Sequence, residues 1–344
     1  MAYEVTIGIP VYNVEKYIRQ TMESALAQTF GSIEFLICDD CGTDASMAII
    51  EEMRQTHPRG KDIRILHQPR NMGMGEGRNR MFAEAQSRYF YFLDADDVIE
   101  PDTIERLYAA AQQYDAEIVY GSYDRVNVKD GQTVSTVPYC YPKKVFVEPD
   151  AFASYAYHEG IQGMNWNYLI ALDVVRRNKL RVTPVGHGYG EDFTFTIDLP
   201  TFITRAVLLS DVTYHYYIRG IDKHKLKKVL SRQDMTLAIQ AVDEKKNRRE
   251  LAGKCYYAKR VSQLMMLDCS FACEMVGRRA EFDKPFTDRE VRDVMWHPMT
   301  LWQIVTAKSG RKRNLIYWLY GVVPPFLCVW LLRPMIKRYR VSER

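Results

Sequence analysis

Apolar residues fall in short runs along the first third of the chain, and polar residues separate them. Residues 5–11 (VTIGIPV), 33–38 (IEFLIC), 63–67 (IRILH) and 89–93 (YFYFL) are such runs. Their length and their β-branched or aromatic content mark buried strands. Between them, residues 14–27 and 77–86 carry helical spacing, and Asp44 can cap a helix reaching about His57. Pro101 suits the first turn of a helix to about Tyr114, and residues 118–120 read as a further short strand. Strand and helix alternating at this length predict an α/β fold, a mostly parallel sheet flanked by helices on both faces. In such sheets ligands bind beyond the carboxyl ends of the strands.

The pattern then changes twice. Residues 121–209 are irregular and hold Pro138, Pro142, Pro149, Pro184 and Pro200, which predicts loops and strands of mixed direction. Residues 222–308 are helical in spacing, with few Gly or Pro. Residues 315–332 (LIYWLYGVVPPFLCVWLL) contain no charge. The expected organisation is a catalytic domain over 1–220, with a nucleotide half (about 1–120) and an acceptor half (about 121–220). A helical extension follows over 221–310, then a basic, apolar tail over 311–344.

Composition adds the location of the charge. The chain has 344 residues, 47% hydrophobic and 26% charged, which excludes a disordered, collagenous or multi-span chain. Its net charge is +4, but residues 311–344 alone hold eight Lys/Arg and one Asp/Glu. The rest is therefore slightly acidic, and nucleic acid is not an expected partner. At ~1.5 Å per residue the uncharged stretch would extend about 27 Å as a helix, the lower limit for a bilayer. Gly321, Pro324 and Pro325 interrupt it, and Arg311–Arg313 and Arg333–Arg340 flank it on both sides. Those features predict a segment that dips into one leaflet or lies in the interface, on an anionic membrane surface. A full span and a buried helix pair docked on the body are the alternatives. The seven scattered Cys and the absence of a secretory leader predict reduced thiols and attachment at the cytoplasmic face. Cys38 and Cys41 lack a second pair at zinc spacing.

Candidate chemistry gathers where the strands end. Asp94-Ala95-Asp96-Asp97 follows the run 89–93 directly. Two carboxylates at such a spacing can converge on Mg²⁺ or Mn²⁺, which can bridge diphosphate oxygens. Alone, the pattern is also that of a solvated acidic turn. Pro10-Val11-Tyr12-Asn13 ends the first strand, Asp39-Asp40 the second, and Asn71 with Gly77-Arg78-Asn79 follows the third. An Asp there can accept from a uracil-like base, and Arg78 can offset diphosphate charge. A P-loop Lys-Ser/Thr and a G-x-G-x-x-G are both missing.

These motifs in this order resemble glycosyltransferase family two, the nucleotide-diphospho-sugar transferases of GT-A fold. The resemblance covers residues 5–219 and extends to Trp166-Asn167, Gly190-Glu191-Asp192 and Tyr216-Tyr217-Ile218-Arg219. Two departures stand out: Cys41-Gly42 replaces the family's Gly-Ser, and Tyr168 replaces a Lys after Trp-Asn. The resemblance implies that Pro10, Tyr12, Asn13, Asp39, Asp40, Asn71, Arg78, Asp94 and Ala95 form the donor site. It implies Asp96, with Asp94, as metal ligand, and Asp192 of the Glu191-Asp192 pair as general base in an inverting transfer. Trp166, Asn167 and His187 would lie on the acceptor side. Glu191 and Asp192 also read simply as acids favouring a helix N-terminus. His215 reads first as a satisfied histidine in an aromatic patch and second as a third metal ligand. The expected function is metal-dependent transfer from a UDP-sugar to a hydroxyl of a growing, lipid-linked surface glycan. The rivals are a sugar-phosphate nucleotidyltransferase and a non-catalytic membrane-surface binding module.

Overall fold

The computed structural model describes residues 3–161, 163–183, 191–219 and 230–342. The strands are β1 (Tyr3–Val11), β2 (Ile33–Asp39), β3 (Ile63–His67), β4 (Ser87–Phe92), β5 (Val98–Ile99), β6 (Ile118–Lys129), β7 (Gln132–Tyr139), β8 (Lys144–Phe146), β9 (Tyr168–Ala171) and β10 (Ala206–Arg219). The helices α1 (Ile18–Leu26), α2 (Ser46–Thr56), α3 (Met74–Glu84), α4 (Thr103–Gln113), α5 (Ala151–His158), α6 (Leu172–Arg177) and α7 (Glu191–Thr196) are interleaved with them. The helices α8 (Arg232–Lys246), α9 (Tyr257–Gly277), α10 (Asp288–Val294), α11 (Leu301–Thr306), α12 (Arg311–Val322) and α13 (Pro325–Ser342) follow.

One sheet orders its strands β3-β2-β1-β4-β9-β6-β10-β5, with β7 on β6 and β8 on β10. The run β3-β2-β1-β4 is parallel, as the alternating pattern predicts. β9 then enters antiparallel between β4 and β6, and β10 returns parallel to β6. In β2 all positions but the last are buried, the signature of a parallel strand covered on both faces. Val5, Ile7, Ile9, Phe35 and Ile37 pack there with Ile18, Met22 and Ile50. The strand expected over 118–120 runs to Lys129, because its polar outer half pairs with β7 and with the far end of β10.

Two compact units divide the chain. The first comprises residues 1–152, 164–184 and 201–222. The second comprises 153–163, 185–200 and 223–344, so Glu191 and Asp192 belong to it. Its core gathers Met235, Val242, Val261, Leu264, Met265, Met275, Val291 and Leu332. Thr287 with Glu290 and Thr300 with Gln303 form capping boxes that start α10 and α11.

The tail breaks at Val323–Pro324 into α12 and α13, where the two prolines stand. Asn314 and Tyr317 on α12, and Cys328, Val329 and Leu332 on α13, are buried in that second core. Among the described residues no helix is long and apolar enough to cross a membrane.

Candidate active site

The sheet register aligns the strand ends. Val11 pairs with Asp39, and Asp39 pairs with His67, so β1, β2 and β3 finish side by side. The first two ends are tied together across their loops. Asn13 takes a left-handed backbone (φ 52°), and its Oδ1 accepts from Thr43 N at 2.7 Å. Asp44 accepts from Glu15 N and from Ser46, which opens α2. Pro10 is half-buried, and Tyr12 and Asn71 are exposed.

The paired aspartates divide their labour. Asp39 Oδ1 accepts from Cys41 N at 3.0 Å, and Oδ2 meets His67 Nδ1 at 2.9 Å. Asp40 is buried, and its two oxygens accept from Met72 N (2.7 Å) and Gly73 N (3.0 Å). Asp40 therefore fixes the loop that leads into α3. Cys41 stands at φ 61°, where glycine is unstrained. Its exposed thiol donates to Gln68 O at 3.1 Å, whereas burial pushes the Cys38 thiol up to about 12. No disulfide joins the two.

Beyond β4 the acidic turn is held from several sides. Arg78 on α3 is fully buried, donates to Asp94 Oδ1 at 2.9 Å and lies over the Phe92 ring. Arg78, expected to offset diphosphate charge, is thus paired with Asp94 and positions it. The Ala95 carbonyl accepts from Thr21 Oγ1 at 3.0 Å. Asp96 Oδ2 accepts from Arg219 at 3.0 Å, and the Arg219 guanidinium stacks on Tyr17 and Tyr217. Asp97 is buried and accepts from Tyr214 Oη and Tyr217 N, each at 2.8 Å. Burial, and then the charge of Asp94, raise the Asp96 pKa. Burial, then Asp96 and Asp94, push Asp97 well above the usual carboxylate range. Burial is the larger cause of both shifts and repulsion among the acids adds to it, so the turn disfavours further negative charge and suits a bound cation.

Among the described residues no group of three or more His, Cys, Asp or Glu could by itself hold a metal ion. Asp94 and Asp96 supply two carboxylates, which fits Mg²⁺ or Mn²⁺ completed by substrate phosphates and water. His215 lies 2.8 Å from Glu100 and 3.4 Å from Asp124, and so is already satisfied.

Two residues expected on the acceptor side, Trp166 and Asn167, are buried. Trp166 is buried, stacked 4.4 Å from Tyr214 and edge-on to Tyr123. Asn167 is buried at φ 60°, donates to Gly121 O and Ser122 O, and accepts from Thr213 Oγ1. Both brace β9 and β10 beneath the turn. His187 lies outside the described residues. Glu191 and Asp192 open α7, as acids at a helix N-terminus should. The sequence reading did not single out Arg219, Tyr214 or Asp97 as site residues. Their signal was the aromatic-rich end of β10 and the third Asp after β4.

The architecture places the protein in a class: the fold is GT-A. The S. aureus TarS 1–349 structure in complex with UDP-GlcNAc superposes with TM-score 0.61 at 17% identity, over 92% of this chain and 90% of that one. The mannosyltransferase PcManGT from Pyrobaculum calidifontis, in complex with GDP-Man and Mn²⁺, gives TM-score 0.52 at 12% identity, over 94% and 88%. Residues 6–169, just under half of the chain, match the model of glycosyl transferase family 2. Glycosyltransferase GlyA of Streptococcus pneumoniae is 36% identical over 129 residues, 37% of this chain and 18% of that protein. The chain thus aligns with under a fifth of that relative's length.

Proposed function

We propose that the chain transfers a sugar from a nucleoside diphosphate, UDP in the first instance, to a hydroxyl of a growing surface glycan, with inversion. One observation carries this reading: the acidic turn Asp94–Asp97 stands at the end of β4, next to β1, on the strand-end side where Asp39 also lies. The structures of TarS with UDP-GlcNAc and PcManGT with GDP-Man and Mn²⁺ support the donor class and the metal. Asp39 accepts from the base, and Pro10, Tyr12 and Asn13 line its approach. Asp40 shapes the neighbouring loop. Asp94 and Asp96 hold the divalent ion, with Arg78 and Arg219 fixing their orientation. A bound Mg²⁺ or Mn²⁺ would compensate the charge of the departing diphosphate. Asp192 takes the proton of the attacking hydroxyl as the acceptor oxygen bonds to the anomeric carbon and the sugar–phosphate bond breaks.

The second unit attaches the enzyme to an anionic membrane surface, where a lipid-linked acceptor is at hand. The outward side of the tail supports this. Leu315, Ile316, Leu319, Val322, Phe326 and Trp330 are exposed beside the basic residues Arg311, Lys312, Arg313 and Arg333.

The test is nucleoside diphosphate release from a panel of nucleotide-sugars, with and without Mn²⁺. Asp192→Asn should lower kcat by about a hundred- to ten-thousand-fold while leaving donor affinity unchanged. Asp96→Asn should raise the metal concentration needed for half-maximal activity. Pyrophosphate release from a nucleoside triphosphate and a sugar phosphate, with no sugar transfer, would sink the reading.

A further inference from the structure

A cavity of about 630 Å³ in the second unit lies where the end of α5, the first turns of α9 and the start of α12 meet. His158, Glu159, Lys259, Arg311, Lys312 and Arg313 contribute to its lining. Four of these are permanent cations and one is a carboxylate. Among the described residues, Lys259, Lys312 and Arg313 form no ion pair, and Arg311 donates only to the Ala307 carbonyl. His158 ties the rim together: Nδ1 meets Ser154 O at 2.8 Å, and Nε2 meets Ser309 Oγ at 3.3 Å.

The placement of these cations runs against the helix macrodipole. Arg311, Lys312 and Arg313 occupy the first turn of a 12-residue helix, its positive end, and no acid stands there. A group that breaks a local rule without an internal partner points to an external one. The cavity wall also leads out of the charged region. Ile316, one turn after Lys312, belongs to the lining and to the exposed apolar side of α12 with Leu315 and Leu319. A ligand that fits both parts has a multiply charged anionic head and an apolar body.

We infer that this cavity binds the terminal phosphate of a phospholipid headgroup. The inference rests on the membrane-attachment reading above and deepens it, because diffuse attraction to anionic lipid needs no cavity. A phosphomonoester presents more charge and more acceptor oxygens to Lys259, Arg311 and Arg313 than a phosphodiester does.

The experiment is flotation of the full chain with phosphatidylcholine vesicles containing phosphatidic acid or phosphatidylglycerol, adjusted to equal surface charge. Binding to phosphatidic acid should be about tenfold tighter, the worth of one added charge-assisted hydrogen bond. Lys259→Gln with Arg313→Gln should bring the two affinities together. Leu315→Ser with Leu319→Ser should weaken both alike. On the unmodified chain, inorganic phosphate should release protein from phosphatidic acid vesicles more than chloride at equal ionic strength does. Equal binding to both anionic vesicles would overturn the phosphate site and leave membrane attachment standing. Failure to bind any anionic vesicle would overturn both. Tight binding of free inorganic phosphate without a preference for phosphatidic acid vesicles would overturn the lipid as its source.

Discussion

Two buried acidic sites, the turn after β4 in the first unit and Asp198 in the second, are balanced in opposite ways. In the first, Asp94, Asp96 and Asp97 crowd one turn with two arginines among them, and the pKa values of Asp96 and Asp97 are raised. In the second, Asp198 meets Arg260 at 2.5 Å and Arg248 at 3.1 Å. Burial alone would raise its pKa, yet these cations and Lys245 hold it below the usual value. A bound cation, as proposed above, would relieve the crowding in the first. Balanced charge is a structural device, and its removal should be felt in stability and not in turnover.

Arg260→Met attacks the balanced case. Arg260 is fully buried, and its Nε and one terminal nitrogen reach Asp198 while that nitrogen also donates to Lys245 O. Removing it strands a buried carboxylate, at a cost of about 3–5 kcal/mol, nearer the lower figure because Arg248 remains. The denaturant midpoint should fall with an unchanged slope. The double variant Arg260→Met with Asp198→Asn should recover much of the loss. If Arg260→Met left the midpoint alone, the contrast between the two sites would not hold.

The second unit also contains two buried groups whose titrations oppose each other. Burial depresses His297 to about 4, with Lys246 adding to the effect. A group whose folded pKa lies below its unfolded value of 6.5 favours unfolding as pH falls from 6.5 towards 4. Asp268 is the reverse: burial outweighs Lys246, 2.6 Å away, and raises it to about 7. Its contribution is full below its unfolded value of 3.8 and is lost as pH rises towards 7. Over the shared window the two slopes offset. His297→Gln leaves Asp268 alone, so stability should fall with rising pH between 4 and 6.5, by about 1 kcal/mol per unit relative to the parent. Parallel pH profiles for the two proteins would show that His297 titrates normally.

What the sequence disclosed follows the same division. The alternation of strand and helix and the strand-end motifs were legible, because local pattern sets both. Burial was not. Arg78 reads as a diphosphate fork in sequence, and α3 turns it inward onto Asp94. Trp166-Asn167 reads as an acceptor motif, and the groups that bury it, Tyr123 and Tyr214 around the indole and Gly121, Ser122 and Thr213 around the amide, come from distant strands. The pairing of Arg219 with Asp96 joins positions 123 apart and leaves no local trace. The tail is the mixed case. Its prolines foretold the break between α12 and α13, while the docking of Asn314, Cys328 and Leu332 depends on a partner surface that no periodicity reports.

The smallest expected effect bears on the loops around the acidic turn. Cys41 replaces the family's glycine at φ 61° and accepts a left-handed backbone that L side chains disfavour. Cys41→Gly removes that strain but gives up the weak thiol bond to Gln68 O and adds freedom to the unfolded chain. The balance should be a gain of about 0.5 kcal/mol, read as a rise in the denaturant midpoint. Cys41→Ala keeps the strain and loses the thiol bond, so it should be the less stable of the two variants. Asn13, at φ 52° beside it, takes the same backbone region at lower cost, because its amide oxygen holds Thr43 N. If Cys41→Gly instead destabilised the chain, the thiol would be holding the loop between β2 and α2, and the departure from the family pattern would be a support and not a strain.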